Sequence, residues 1–152
     1  MKNSVRQFIY VSGPPCAGKS SLCRELIKIN DHLRFIEGDK YWINNDQNDF
    51  NTRVDKTNRD ILSSLKCCSS KSILLEWVPS CGQFVEGLKA ICKTDDIEFL
   101  HMICFAPRKV LEHRKQKRDG DRDIGPLNIE ELKNLVNVTL FDTSQESLDS
   151  IV

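Results

Sequence analysis

No stretch of this chain approaches the roughly 20 consecutive apolar residues that a membrane-spanning helix needs. The opening residues Met1-Lys2-Asn3-Ser4-Val5-Arg6 lack the longer apolar run of a secretory signal. A cytoplasmic location without a membrane partner is therefore expected. An excess of charge of one sign is missing too, because 22 basic residues balance 22 acidic ones. That balance argues against wholesale attraction to nucleic acid or an anionic surface and leaves electrostatic work to local clusters. The seven cysteines are odd in number and contain no C-x-x-C pair, so neither a disulfide framework nor a zinc site is expected. His32, His101 and His113 cluster with no carboxylate or cysteine in a metal-ligand pattern. Repeats and low-complexity segments are absent as well. With 152 residues, one domain can bury roughly 68–70% of the surface its unfolded chain exposes, enough for a core without cross-links.

What is present begins with Gly13-Pro14-Pro15-Cys16-Ala17-Gly18-Lys19-Ser20, which reads G-x-x-x-x-G-K-S. It follows an apolar, β-branched segment, Phe8 to Ser12, and precedes helical spacing from about Lys19 to Ile29. This strand, loop and helix context makes it a Walker A phosphate-binding loop. In such a loop the backbone N–H groups and the helix N-terminus surround phosphates, the lysine reaches the β- and γ-phosphates, and the serine ligates Mg²⁺. Gly13, Pro14, Pro15, Cys16, Ala17, Gly18, Lys19, Ser20 and Ser21 are the candidate nucleotide-binding residues. The Cys16 thiol is a candidate oxidation point, although inert packing is the favoured reading.

Strand and helix patterns alternate through the remainder, which predicts a single α/β domain with a mostly parallel sheet. The first helix is expected to pack Leu22, Leu26 and Ile29 on the sheet. Arg34 to Glu37 reads as a strand stopped by Gly38-Asp39, and Asn44 to Asn51 as a loop. A helix over about Thr52 to Cys67 has Val54, Ile61, Leu62 and Leu65 as buried positions. The run Ser72 to Val78 suits a strand buried on both faces and blocked by Pro79. Phe84, Val85, Leu88 and Ile91 mark the inner face of the next helix, Ile97 to Phe105 a long strand, and Ala106-Pro107 a helix start. That helix turns basic and is broken by Gly120 and Gly125. Asn128 with Glu131 caps a further helix, Val138 to Asp142 is a last strand, and a short helix closes the chain.

Several residues separate the possible chemistries. A guanine-reading GTPase calls for D-x-x-G, which is absent, and for N-K-x-D, of which Cys92-Lys93-Thr94-Asp95 is only a distant echo. A kinase needs a group to orient and deprotonate an acceptor hydroxyl, and cations to neutralise the transferring phosphoryl group. Asp39, at the carboxyl end of a strand, suits the first need. Arg114, Arg118 and Arg122, four residues apart, suit the second. Glu76 stands where a carboxylate can hold a Mg²⁺-bound water, or is a simple edge charge. Tyr41, Trp42 and Trp77 are candidate walls of an acceptor pocket, with core packing an equal reading for Trp77.

The phosphate loop, followed by Phe35-Ile36-Glu37-Gly38-Asp39, resembles the small P-loop kinases related to chloramphenicol phosphotransferase, polynucleotide 5′-hydroxyl kinase, gluconate kinase and zeta toxins. Ala106-Pro107, Val110-Leu111, Arg114, Arg118, Gly120-Asp121-Arg122, Gly125 and Phe141-Asp142-Thr143-Ser144 are similar to the chloramphenicol phosphotransferase-like branch. The resemblance implies a five-stranded parallel sheet in the order 2-3-1-4-5, helices on both faces, and a lid over about 114–127 bearing Arg114, Arg118 and Arg122. It also implies Mg-ATP as donor and Asp39 as the acceptor-activating residue. The function expected is transfer of the γ-phosphoryl group to a hydroxyl of a small molecule such as a nucleoside, sugar or antibiotic-like alcohol. A polynucleotide 5′-hydroxyl kinase and a non-catalytic nucleotide-binding regulatory module are the alternatives. The segment between Tyr41 and Ser72 matches no branch, so the resemblance names no acceptor.

Overall fold

A computed structural model describes residues 6–68, 72–118, 135 and 137–145. Strand β1 (Gln7–Ser12) alternates its side chains between two faces of a sheet, as the strand period of two requires. Ile9 and Val11 point into one apolar cluster, Phe8 and Tyr10 into another. Five residues in a row are buried because both faces are covered.

The covering helices follow from the same pattern. Helix α1 (Lys19–Ile29) brings Leu22 and Cys23 to the Ile9 side, where Leu111 of α5 (Arg108–Arg118) joins them. On the Tyr10 side lie α3 (Phe50–Lys66), with Ile61 and Leu65, and α4 (Gln83–Thr94), with Phe84, Val85, Leu88 and Cys92. Each fully buried Leu or Phe contributes about 1.5–3 kcal/mol relative to exposure, so both layers are held chiefly by apolar burial.

Strands β2 (Arg34–Glu37), β3 (Ile73–Glu76), β4 (Glu98–Phe105) and β5 (Val138–Asp142) complete an all-parallel sheet in the order β2-β3-β1-β4-β5. The expected order is found. From β1 the chain runs out to β2, returns through β3 and passes β1 to reach β4, so β1 lies where the strand order switches direction. A crevice opens at such a point beyond the carboxyl ends of the strands. The phosphate loop leaves β1 there.

Four expectations need correction. Gly38-Asp39 does not form a turn into a loop, because α2 (Gly38–Ile43) starts directly after β2. Glu37 is extended at its N-cap and Asp39 sits in the first turn, where a carboxylate favours the positive end of the helix dipole. The loop to α3 is correspondingly shorter, and α3 starts at Phe50, capped by Asp49, whose carboxylate accepts from the Thr52 N–H. Ile29 is 55% exposed, since it ends α1 beyond the point where Leu26 and Ile27 meet the core. Helix α5 begins just after Pro107, whose carbonyl accepts from Val110 and Leu111. Residues 119–134, which include Arg122, both glycines of the expected lid and the expected Asn128 cap, lie outside the described residues, as does the part of the expected closing helix beyond Gln145. No helix among the described residues is long and apolar enough to cross a membrane.

Candidate active site

The phosphate loop owes its path to three positive φ angles. Gly13 (φ 142°) passes so close to β4 that a Cβ there would stand 2.2 Å from the Cys104 carbonyl oxygen. Gly18 (φ 89°) caps α1, and Cys16 takes the left-handed conformation (φ 67°) without being glycine. A non-glycine residue held there costs on the order of 1–2 kcal/mol, a cost met by the surrounding contacts. One of them is the Cys16 carbonyl, which accepts from Arg114 Nη1 at 3.2 Å. Pro14 and Pro15 carry no N–H, so the backbone donors of the loop are drawn from Cys16 onward.

Lys19 folds back over the loop, its Nζ donating to the carbonyls of Gly13 at 2.8 Å and Pro14 at 2.9 Å. Burial pushes its pKa down, and the carboxylates of Glu76 and Asp39 push back. Ser20 donates its hydroxyl proton to Glu76 Oε1 at 2.8 Å. Desolvation raises the Glu76 pKa, opposed by the Ser20 bond and the Lys19 charge. Asp39 comes from the first turn of α2. Pro15 to Ser21, Asp39, Glu76, Val78 and Arg118 surround one cavity of about 90 Å³. The candidate set of loop, Asp39, Glu76 and Arg118 is thus gathered in one place by four different elements.

A second cavity, of about 360 Å³, lies alongside between the loop and α5, lined by Cys16, Gly18, Ser21, Arg114, Lys117, Arg118, Phe141 and Thr143. Here Arg114 differs from a free lid cation. Its Nη1 donates to Thr143 Oγ1 at 2.8 Å and its Nη2 to the Thr143 carbonyl at 3.1 Å, in addition to the Cys16 bond. Arg114 therefore braces the loop against the end of β5. Arg118, exposed and one turn on, faces both cavities.

Beside α2, Trp77 is core, 5% exposed, and its indole N–H donates to Asn58 Oδ1 at 2.8 Å. Gly38 rests on its ring: a Cβ would meet Trp77 Cε3 at 2.3 Å. Tyr41 and Trp42 are partly buried against the same cluster. The Arg53 guanidinium stacks 4.1 Å over the Trp42 ring and donates through Nη2 to the Trp42 carbonyl at 2.6 Å. Sequence reasoning met Gly38 and Thr143 only within motifs, without their contacts, and missed the stacking of Arg53 on Trp42 and a buried Ser12–His101 contact of 2.8 Å.

A parallel sheet in the order 2-3-1-4-5 with a phosphate loop after β1 defines the fold of the P-loop kinases. No protein-family model and no curated protein matches the chain by sequence. Solved structures match over nearly its whole length. A gluconokinase from Sinorhizobium meliloti 1021 is similar at TM-score 0.68 and 18% identity, over 97% of this chain and 87% of that one. The APS kinase CysC of Mycobacterium tuberculosis, in complex with AMPPNP and APS, gives 0.68 and 16%, over 95% and 92%. Shikimate kinase from Acinetobacter baumannii, in complex with shikimate, gives 0.63 and 15%, over 97% and 89%.

Proposed function

We propose that the protein is an ATP- and Mg²⁺-dependent kinase that transfers the γ-phosphoryl group to a hydroxyl of a small molecule. The observation that carries this reading is the convergence of Lys19, Ser20, Glu76, Asp39 and Arg118 on one cavity at the mouth of the phosphate loop. In the transfer, the acceptor oxygen forms a bond to the γ-phosphorus, the bond to the β,γ-bridging oxygen breaks, and ADP leaves with that electron pair. The acceptor proton passes to Asp39. Lys19, released from the Gly13 and Pro14 carbonyls, and Arg118 offset charge on the transferring group. Ser20 and Glu76 offer hard oxygen donors in contact with one another, a set that suits Mg²⁺ directly or through its waters. When bound there, Mg²⁺ supplies positive charge to the β- and γ-phosphates. The larger cavity beside Arg114 and Phe141 suits the nucleoside end of the donor.

The acceptor flank favours a small molecule over a polynucleotide 5′-end. A strand of nucleic acid calls for a path of free cations leading from Asp39. Of the four cations that follow Asp39 most closely in sequence, Lys40 instead pairs with Glu37 at 3.3 Å, Lys56 with Asp60 at 3.1 Å, and Arg53 is taken up by Trp42, which leaves the exposed Arg59. The structural neighbours named for gluconate, APS and shikimate chemistry agree with a small acceptor without identifying it. The test is acceptor-stimulated ADP release across nucleosides, sugars, polyols and antibiotic-like alcohols, with a 5′-hydroxyl oligonucleotide included. Release stimulated by a small alcohol supports the reading, stimulation by the oligonucleotide alone favours the polynucleotide kinase, and tight ATP binding with no transfer to any acceptor favours the regulatory module.

A further inference from the structure

Beside the phosphate loop runs a buried polar chain that the transfer reaction does not use. Tyr10 of β1 and His101 of β4 are register partners, and their rings stack with centroids 4.9 Å apart. Ser12, two residues beyond Tyr10, faces the same side of the sheet. Both β1 side chains reach the segment that joins β3 to α4. The Tyr10 hydroxyl donates to the Pro79 carbonyl, and Ser12 Oγ lies 2.9 Å from Ser80 Oγ and 2.8 Å from His101 Nε2. Ser12 and His101 are buried to 0% and 1% exposure in an otherwise apolar layer. Polar groups in such a place cost free energy unless they are bonded, and when bonded they fix direction and distance as apolar contacts do not.

The segment they hold borders the candidate site. It follows Glu76, places Val78 on the wall of the phosphate cavity, and ends at Gly82, whose φ is 89° and which has open space around its Cα. Backbone bonds tie only its start to β1 and the loop: Trp77 N–H to Val11 O at 3.1 Å and Gly13 N–H to Val78 O at 3.4 Å. The side chains of Tyr10 and Ser12 secure the next two residues. A hydroxyl has one proton and two lone pairs, so Ser12 donates to at most one of its two partners and accepts from the other.

We propose that Ser12, Ser80 and His101 form a positioning triad that holds the 77–82 segment against the phosphate loop and thereby sets Glu76 opposite Ser20. Its consequence for turnover rests on the kinase reading; its mechanical role rests on the geometry alone. The experiment compares wild type, Ser80→Ala and Ser80→Thr. Ser80 is only half-buried and sits at the loop end of the chain, so its hydroxyl can be removed without opening the core. Amide hydrogen exchange of peptides covering 77–82 and 13–20 is measured on the nucleotide-free protein, alongside kcat and Kd for Mg-ATP.

For Ser80→Ala, exchange in 77–82 is expected to rise by roughly fivefold or more while α3 and β4 keep their protection. The kcat is expected to fall about tenfold with Kd for ATP within about twofold, and Ser80→Thr to restore both. Unchanged exchange in Ser80→Ala overturns the triad whatever the enzyme does. Faster exchange with unchanged kcat overturns the link to Glu76. Failure of the wild-type protein to bind or turn over ATP removes the kinase reading, and the exchange result then decides the mechanical role separately.

Discussion

Ser20 Oγ and Glu76 Oε1 lie 2.8 Å apart, joining the first turn of the helix after the phosphate loop to the carboxyl end of β3. In the proposed kinase the serine would be the loop's metal-ligating position, and the carboxylate would orient that hydroxyl or a water on the metal. Glu76→Gln keeps size and a carbonyl acceptor but removes the charge. We expect it to weaken the apparent Mg²⁺ affinity of ATP turnover by about 10–100-fold, the range for groups that orient metal ligands. Metal-free ATP binding should hardly change. A Mg²⁺ titration of turnover at saturating ATP checks this; an unchanged Mg²⁺ midpoint would make Glu76 an edge charge.

In the proposed transfer Lys19 and Asp39, which both line the smaller cavity, have separable jobs. Asp39→Asn is expected to lower kcat by about 10²–10⁴-fold, the usual contribution of a general base, with ATP affinity nearly intact. Lys19→Met should instead weaken binding of ATP itself, through loss of the charge that meets the β- and γ-phosphates. Calorimetric titration with a non-hydrolysable ATP analogue, combined with single-turnover transfer, separates the two. Equal effects of both variants on binding would contradict the assigned roles.

The parts of this site that could be read from sequence are those fixed by local pattern. The loop needs Gly13, Gly18, Lys19 and Ser20 at set spacing, and the double-sided apolar run of β1 shows that the loop leaves a buried strand. Asp39 was found by its position after β2, yet its helix was missed. Glycine followed by aspartate has the local chemistry of a turn, and the close packing of Gly38 on Trp77, 39 residues on in sequence, is not visible in any local pattern. Arg114 shows the same limit. Its spacing with Arg118 marks a shared helix face, but its bonds to Cys16 and Thr143 come from the placement of α5 between the loop and β5. The buried pairing of Ser12 with His101 depends on the register of β1 with β4, which no local pattern reveals.

That contact makes Gly38 a sensitive position. An alanine Cβ would stand 2.3 Å and 2.6 Å from two Trp77 ring atoms and 2.9 Å from the Glu76 carbonyl oxygen. Neither neighbour yields easily, because the indole is bonded to Asn58 and the carbonyl belongs to a sheet strand. Gly38→Ala is therefore expected to destabilise the fold by about 1–3 kcal/mol, as overpacking does, despite alanine's better helix propensity. Urea unfolding followed by tryptophan fluorescence checks it, and a variant as stable as wild type would show that α2 can shift away from Trp77.

His101 gives the protein a predictable response to acid. Burial lowers its pKa from an ordinary 6.5 to about 4, with the Lys89 charge adding in the same direction. Between these values the unfolded chain takes up a proton that the folded protein refuses, so stability is complete above about pH 6.5 and is lost as pH falls toward 4. The shift corresponds to about 3 kcal/mol over the whole interval. Protonation also fixes Nε2 as the donor in its contact with Ser12. His101→Gln, which keeps a side-chain amide but does not titrate, should flatten the fall in stability between pH 6.5 and 4. The check is urea unfolding at half-unit pH steps for both proteins. If the two stability curves keep the same slope across that interval, His101 is not the group that titrates.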